Sequence, residues 1–301
     1  MRQFDFLGKT KYFVPLSLVL IAVSVVILFP GVRGLKWGID FTGGMEFTVL
    51  FSEAVDTADI RAALGSIDAG DVDLTKSVIQ DVAERDTKVI TTQLLNVEED
   101  QRVIDRIETT LRADFPVEDI SRRLIGQQVS QELAQKGWQA VLLALVAILV
   151  YISWRFRLRY AIGAVAAILH DVIIALGVFA IFQVEVNLAT IAAFLTIVGY
   201  SLNDTIVIYD RIRENLKIER RRSIFDIINH SVNQSLSRTL NTSITTFIPV
   251  VILFVFGGSV LRGFSLALLI GVIVGTYSSM YIANPILYAW SLKTDKAKKG
   301  R

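Results

Sequence analysis

The chain has 301 residues, 52% of them hydrophobic and 20% charged, and its mean hydropathy of +0.51 suits a polytopic membrane protein that also carries a soluble part. A net charge of +2 gives no ground for a nucleic-acid partner, because the basic residues gather at particular span ends. With no cysteine, disulfides and thiolate metal sites are excluded; His170 and His230 lie too far apart for a metal motif, and no cofactor is expected.

Residues 1–29 join a basic beginning to an apolar core, but no small-x-small cleavage pattern precedes Pro30, so the segment reads as an uncleaved signal anchor. The first span runs from about Phe13 to Phe29, where Pro30-Gly31 stops it. From Gly34 to Lys136 the charge density rises and long apolar runs vanish, leaving room for a small domain. Met45 to Phe51 alternates like a strand, Asp56 caps a helix through Leu64, and Leu74 to Gln80 and Lys88 to Leu94 read as two more strands. Between Glu98 and Arg112 the apolar Val103, Ile104, Ile107 and Leu111 fall at helical spacing, and Glu118 to Ile125 closes the set. The order βαββαβ predicts a split βαβ, ferredoxin-like α+β domain.

Ahead of that domain stands Gly38-Ile39-Asp40-Phe41-Thr42-Gly43-Gly44. It lacks the spacing of a phosphate loop (GxxxxGK[ST]) or of a dinucleotide fingerprint (GxGxxG), so its glycines predict a structural turn between span and domain.

Gln127 to Lys136 is an amphipathic lead into a second span, Gly137 to about Trp154, which ends on Arg155, Arg157 and Arg159. Further spans are expected at about Tyr160–Phe182, Asn187–Tyr209, Arg238–Phe256 and Phe264–Leu287. The arginine-rich turns, Arg2, Lys9 and Lys11 at the start, Arg211 to Arg222 between the fourth and fifth spans, and the tail from Lys293 predict both termini inside. The expected architecture is therefore a polytopic α-helical membrane protein with six transmembrane helices and one large extracytoplasmic domain in the cytoplasmic membrane. Its divisions are 1–33, 34–136, 137–292 and a basic tail at 293–301.

The stretch Gly199 to Asn215, GYSLNDTIVIYDRIREN, places Asp204 inside the fourth span, with Ser201, Asn203 and Thr205 beside it. An ionised carboxylate in hydrocarbon costs about 2.5–3.5 kcal/mol even on lenient insertion scales, so it calls for a partner, a wet cavity or a role. At about 1.5 Å per residue, Asp204 and Arg238 fall at matching depth on consecutive spans, which predicts an Asp204–Arg238 pair with Asn241, Thr242 and Ser243 lining the route beyond it. Such a pair would leave an acid whose charge small movements adjust; the proton-coupling role of Asp204 and Arg238 is what the family resemblance given below implies. Against it stands the reading that Asp204 only bonds to neighbours and Arg238 snorkels to the interface. His170-Asp171 in the third span is a second polar site, ranked lower because adjacent residues point to different helix faces.

These motifs, GIDFTGG at 38–44, GYSLNDTIVIYDRIREN at 199–215 and SRTLNTS at 237–243, on a six-span layout with one large outer loop, closely resemble the SecF family. That family supplies the smaller subunit of the SecDF protein-export complex and is related to proton-driven RND transporters. The resemblance implies an RND-like half bundle completed by a SecD partner, and a proton-driven role late in export beside the SecYEG channel and the SecA motor, acting on the emerging unfolded chain. By motif position it puts the membrane acid on Asp204 and the arginine on Arg238. An intramembrane aspartyl protease is the enzyme-class rival, but its GxGD motif is absent. An RND-like exporter of lipids or small hydrophobic molecules is the other alternative, and lipid surrounds the chain on either reading.

Overall fold

The computed structural model describes residues 4–69, 73–82, 86–92, 97–156 and 158–299. In chain order α1 (Thr10–Leu28), β1 (Lys36–Trp37) and the single turn α2 (Ile39–Thr42) lead to β2 (Gly44–Phe51), α3 (Thr57–Gly65), β3 (Val78–Val82), β4 (Thr87–Thr92), α4 (Val97–Asp114) and β5 (Val117–Ile125). There follow α5 (Gln127–Arg155), α6 (Leu158–Phe182), β6 (Glu185–Val186), α7 (Leu188–Ile218), α8 (Ile224–Phe256), α9 (Gly258–Tyr281) and α10 (Ala283–Lys299). Arg2, Leu94, Arg157, Arg301 and the side chains from Lys293 onward, all used in the sequence reading, lie outside the described residues. The chain divides into two compact units.

In the smaller unit the strands lie in the order β3-β4-β2-β5, each pair antiparallel. Period-two alternation puts Met45, Phe47, Val49 and Phe51 of the central β2 on one face. That face is buried against Ile60 and Leu64 of α3 and Ile104, Ile107 and Leu111 of α4, the residues whose helical spacing stands out in the sequence. Asp56 caps α3 by accepting from Ala58 N. The strand expected from Leu74 begins only at Val78, because Asp73 accepts from Thr75 N and winds Leu74–Lys76 into a 3-10 turn.

Among the described residues six helices are long and apolar enough to cross a membrane: Thr10–Leu28, Gln127–Arg155, Leu158–Phe182, Leu188–Ile218, Ile224–Phe256 and Leu261–Leu292. This is a multi-pass membrane protein with six candidate spans. α6 lies centrally, packed against α1, α7 and α10. Small residues permit the close approaches: a Cβ on Gly163 would meet Tyr209 Oη at 2.2 Å and the Ala283 carbonyl at 2.8 Å, and one on Gly271 would meet Ile197 Cγ1 at 2.2 Å.

Two boundaries differ from the sequence reading. The fifth span begins at Ile224, not near Arg238, because Ser223 caps it: Ser223 Oγ accepts from Asp226 N at 3.1 Å and donates to Asp226 Oδ2 at 2.6 Å. α7 for its part runs on to Ile218, so Arg211 and Arg213 ride on it and not in a loop. The sixth span is broken at Ile282 because Pro285 cannot donate to the preceding turn, and the Asn284 amide takes the carbonyls of Ser279 and Met280.

Candidate functional site

α7 is set at its start by a reciprocal cap, Thr190 N donating to Asn187 Oδ1 at 2.9 Å and Asn187 N to Thr190 Oγ1 at 2.8 Å. Four turns on, Asp204 is 2% exposed, and its Oδ2 has no hydrogen-bond partner among the described residues. The neighbouring α8 turns Ser231, Ser235, Thr239 and Ser243 inward at four-residue spacing, and Ser235 Oγ and Thr239 Oγ1 are likewise buried without a partner. A buried polar atom left unpaired costs about 1–3 kcal/mol. An acid and two hydroxyls in that condition on adjoining helices mark a seam that packing alone does not explain.

Thr242 stands against the Asp204 carboxyl, and Arg238 lies within its electrostatic reach. The expected direct pair is not formed: Arg238 is exposed, and among the described residues no ion pair joins it to Asp204. An estimate of depth from rise per residue does not fix side-chain direction. The flanking residues divide. Thr205 is buried and donates back to Ser201 O at 3.1 Å, whereas Asn203 is exposed, off the buried face. Ser243 bonds across to Thr276 of α9 at 2.6 Å and so joins helices; Thr242 donates to the Arg238 and Thr239 carbonyls, and Asn241 is exposed.

His170 and Asp171, the adjacent pair ranked lower, are 2% and 1% exposed and bonded to each other, His170 Nδ1 to Asp171 Oδ1 at 2.8 Å. Asp171 Oδ2 accepts from Ser201 of α7 at 2.5 Å and from Ser278 of α9 at 2.8 Å. One carboxylate thus ties three helices. Gly275 makes this possible, since a Cβ there would meet Ser201 Cβ at 3.1 Å. Nothing in the sequence pattern points to Ser278; Ser201 is visible only as a neighbour of Asp204.

Further along α7, Asp210 accepts from Arg155 of α5 at 2.5 Å and from Arg213 at 3.3 Å, so this acid is ion-paired. In the other unit the glycine run forms the turn its composition predicts. Gly38 N-caps α2, Gly43 and Gly44 take φ of 70° and 126°, and Asp40 pairs with Arg123 at 3.5 Å. Arg123 also reaches Glu46 at 3.5 Å. Among the described residues no cluster of His, Asp and Glu could hold a metal ion.

With this geometry in hand, comparison with known proteins assigns the chain. The family described as protein export membrane protein SecD/SecF, C-terminal, matches residues 106–293, and the SecD/SecF GG motif matches residues 29–55. The chain belongs to the SecD/SecF family. Within it the chain is 39% identical to the protein translocase subunit SecF of Petrotoga mobilis, over 99% of this chain and 100% of the relative. It is 44% identical to the SecF subunit of Magnetococcus marinus, over 95% and 91%. The crystal structure of SecDF, a translocon-associated membrane protein from Thermus thermophilus, superposes with a TM-score of 0.86 at 34% identity, covering 96% of this chain. The chain spans 39% of that SecDF chain, so it corresponds to a part of it. A second SecDF structure, in a super-membrane-facing form, gives 0.69 at 33% identity over 100% of this chain and 40% of that one. Asp204, Arg238, His170 and Asp171 fall in the SecD/SecF C-terminal match; Gly38, Asp40, Gly43 and Gly44 fall in the GG motif.

Proposed function

We propose that this chain is the SecF-type half of a two-part export machine in the cytoplasmic membrane, which uses the proton gradient to assist the passage of secreted chains, and that Asp204 with Arg238 is its proton-coupling site. The observation that carries the reading is Asp204: a carboxyl 2% exposed in a candidate span, with one oxygen unpaired. Such an acid is retained at a cost and is changed most by a proton. When neutral it no longer attracts Arg238 and tolerates its surroundings, so α7 and α8 repack; when the proton leaves toward the cytoplasm the attraction returns. No covalent chemistry is involved.

A SecD-like second half fits the polar residues that α7 and α8 present outward, Asn203, Arg238, Asn241 and Thr245, since polar groups in a span face protein or water rather than lipid. The partner would supply the other wall of the path to Asp204, and the SecYEG channel with SecA would supply the emerging chain. Arginines at 155, 211, 213 and 220–222 support cytoplasmic turns, both termini inside and the domain at 34–136 outside. A tag near Gln183 should then be reached from outside and one at Ser223 protected; the opposite labelling overturns the topology.

Translocation of a secretory protein by membranes carrying Asp204→Asn, with and without a proton gradient, tests the function. The variant should assemble with its partner, retain gradient-independent export and lose the gradient-stimulated part. Full stimulation by a stably assembled variant overturns the proposal.

A further inference from the structure

Asp204 is not the only acid held inside the candidate spans. Among the described residues every hydrogen bond to the Asp171 carboxyl comes from a group able to donate: Ser201 and Ser278 on Oδ2 at 2.5 and 2.8 Å, and His170 Nδ1 on Oδ1 at 2.8 Å. That set fits a carboxylate, which only accepts, and it fixes the Nδ1–H tautomer of His170. The other ring nitrogen, Nε2, is buried and has no hydrogen-bond partner among the described residues. The ring stacks on Tyr277 with centroids 5.9 Å apart, and Tyr277 Oη is already engaged by Ser17 and the Phe13 carbonyl, both at 2.7 Å.

Among the described residues the surroundings supply no countercharge. α1 brings Ser17 by way of Tyr277, with Lys11 and Tyr12 at its far start. α9 brings Ser278, Tyr277 and Tyr281, and its one charged residue, Arg262, sits at the other end over the Phe254 ring at 5.7 Å. α7 brings Ser201, with Asp204 three residues on; the titratable groups of α10 are Tyr288, packed on Phe225, and those beyond Leu292. Ionised Asp171 beside neutral His170 therefore leaves one uncompensated negative charge in the bundle, a state that is costly in hydrocarbon. One proton on Nε2 makes the pair neutral overall, with Nδ1–H still on Asp171.

We propose that His170 and Asp171 form a second proton-binding site, distinct from Asp204, whose charge is sensed by α7 through Ser201 and by α9 through Ser278. The step is a single transfer: a proton from water joins Nε2, and the pair passes from a charge of −1 to 0. Ser278 is built to respond, because its hydroxyl lies 2.8 Å from Asp171 and 3.2 Å from the Gly275 carbonyl and can turn from one acceptor to the other. Ser201 is one helical turn from Asp204, so a shift of α7 that follows the pair's charge moves Asp204 as well. The coupling role rests on the function proposed above; the existence of the site does not.

The test is nitrogen-15 NMR of histidine in the full chain embedded in lipid, on a His230→Gln background so that one imidazole remains. At alkaline pH only Nδ1 should carry a proton, and acidification should add one to Nε2. Asp171→Asn should abolish or displace that uptake, while Ser278→Ala, which leaves the pair intact, should keep the uptake and shift the His170 resonances. Asp204→Asn should lose gradient-stimulated export with His170 uptake intact, which separates failure of this site from failure of the export reading. A histidine that holds one charge state at every pH where the protein is folded, or that takes up its proton identically in Asp171→Asn, overturns the proposal.

Discussion

The two units of this chain solve opposite problems with the same helices and side chains. In the smaller unit apolar residues such as Phe47, Ile60 and Ile107 are inside, and most charges, such as the pair Arg112–Glu108, lie outward. In the membrane unit Leu142, Leu143, Ile244 and Ile248 are outside, while His170, Asp171, Ser201, Asp204, Ser235 and Thr239 are buried. The smaller unit buries what water rejects; the membrane unit also buries what lipid rejects. The difference shows where function concentrates. Buried apolar groups in the domain explain its stability and nothing else, whereas buried polar groups among the spans cost stability and need another reason to persist.

Reversing polarity in each unit should break this comparison most strongly. Phe47→Asp puts a charge without a partner at the centre of the sheet and should abolish cooperative unfolding of the domain, a loss beyond about 4 kcal/mol, read by limited proteolysis and thermal melts. Asp204→Leu makes the converse change and should leave the bundle as stable as before or more so, by about 0–4 kcal/mol, while gradient-stimulated export disappears. A bundle that collapses on Asp204→Leu would make the acid structural.

Smaller effects sharpen the contrast. Gly163→Ala forces a methyl against Tyr209 Oη and the Ala283 carbonyl and should cost about 1–3 kcal/mol in detergent melts, a packing effect without polar content. Ser243→Ala removes the bond to Thr276 and should cost only about 0.6 kcal/mol, since hydroxyl bonds between spans are weak on average.

The smallest effect belongs to Asp5, outside the spans. The Gly8 backbone N–H, then the Asn229 amide, hold its carboxyl below the usual carboxylate range. A depressed folded-state pKa stabilises fully above the unfolded value, about pH 4, and the contribution is lost as pH falls through the folded value. Asp5→Asn should therefore be marginally less stable than wild type at pH 7, and the difference should vanish as pH falls through the folded-state value, as read from melts across the acidic range.

Hydropathy made the spans legible in the sequence, because about twenty apolar residues have few other uses. The domain helices were legible for a similar reason: Val103, Ile104, Ile107 and Leu111 repeat at the helical period and are the residues buried. The start of α8 was written as Ser223-x-x-Asp226 but was obscured by the surrounding arginines. Asp204 stands out because an acid in a span is conspicuous. Direct contact with Arg238 was not legible, since rise per residue estimates height and leaves rotation open. The Asp171 bracket was hidden for another reason. Ser278 lies 107 residues from Asp171, and a serine in an apolar helix carries no periodic mark of what it will meet. The premise that an adjacent His and Asp diverge on a helix also fails here, where the two side chains bend into one bond.

The central claim is that Asp204 binds and releases a proton in the folded bundle. Infrared difference spectroscopy of the lipid-embedded protein, comparing acidic and alkaline samples of wild type and Asp204→Asn, tests it most directly. The account predicts a protonated-carboxyl band that grows on acidification in wild type and is missing from the asparagine variant. A band that persists unchanged in Asp204→Asn, or a wild-type protein that shows none at any pH where it remains folded, would contradict it.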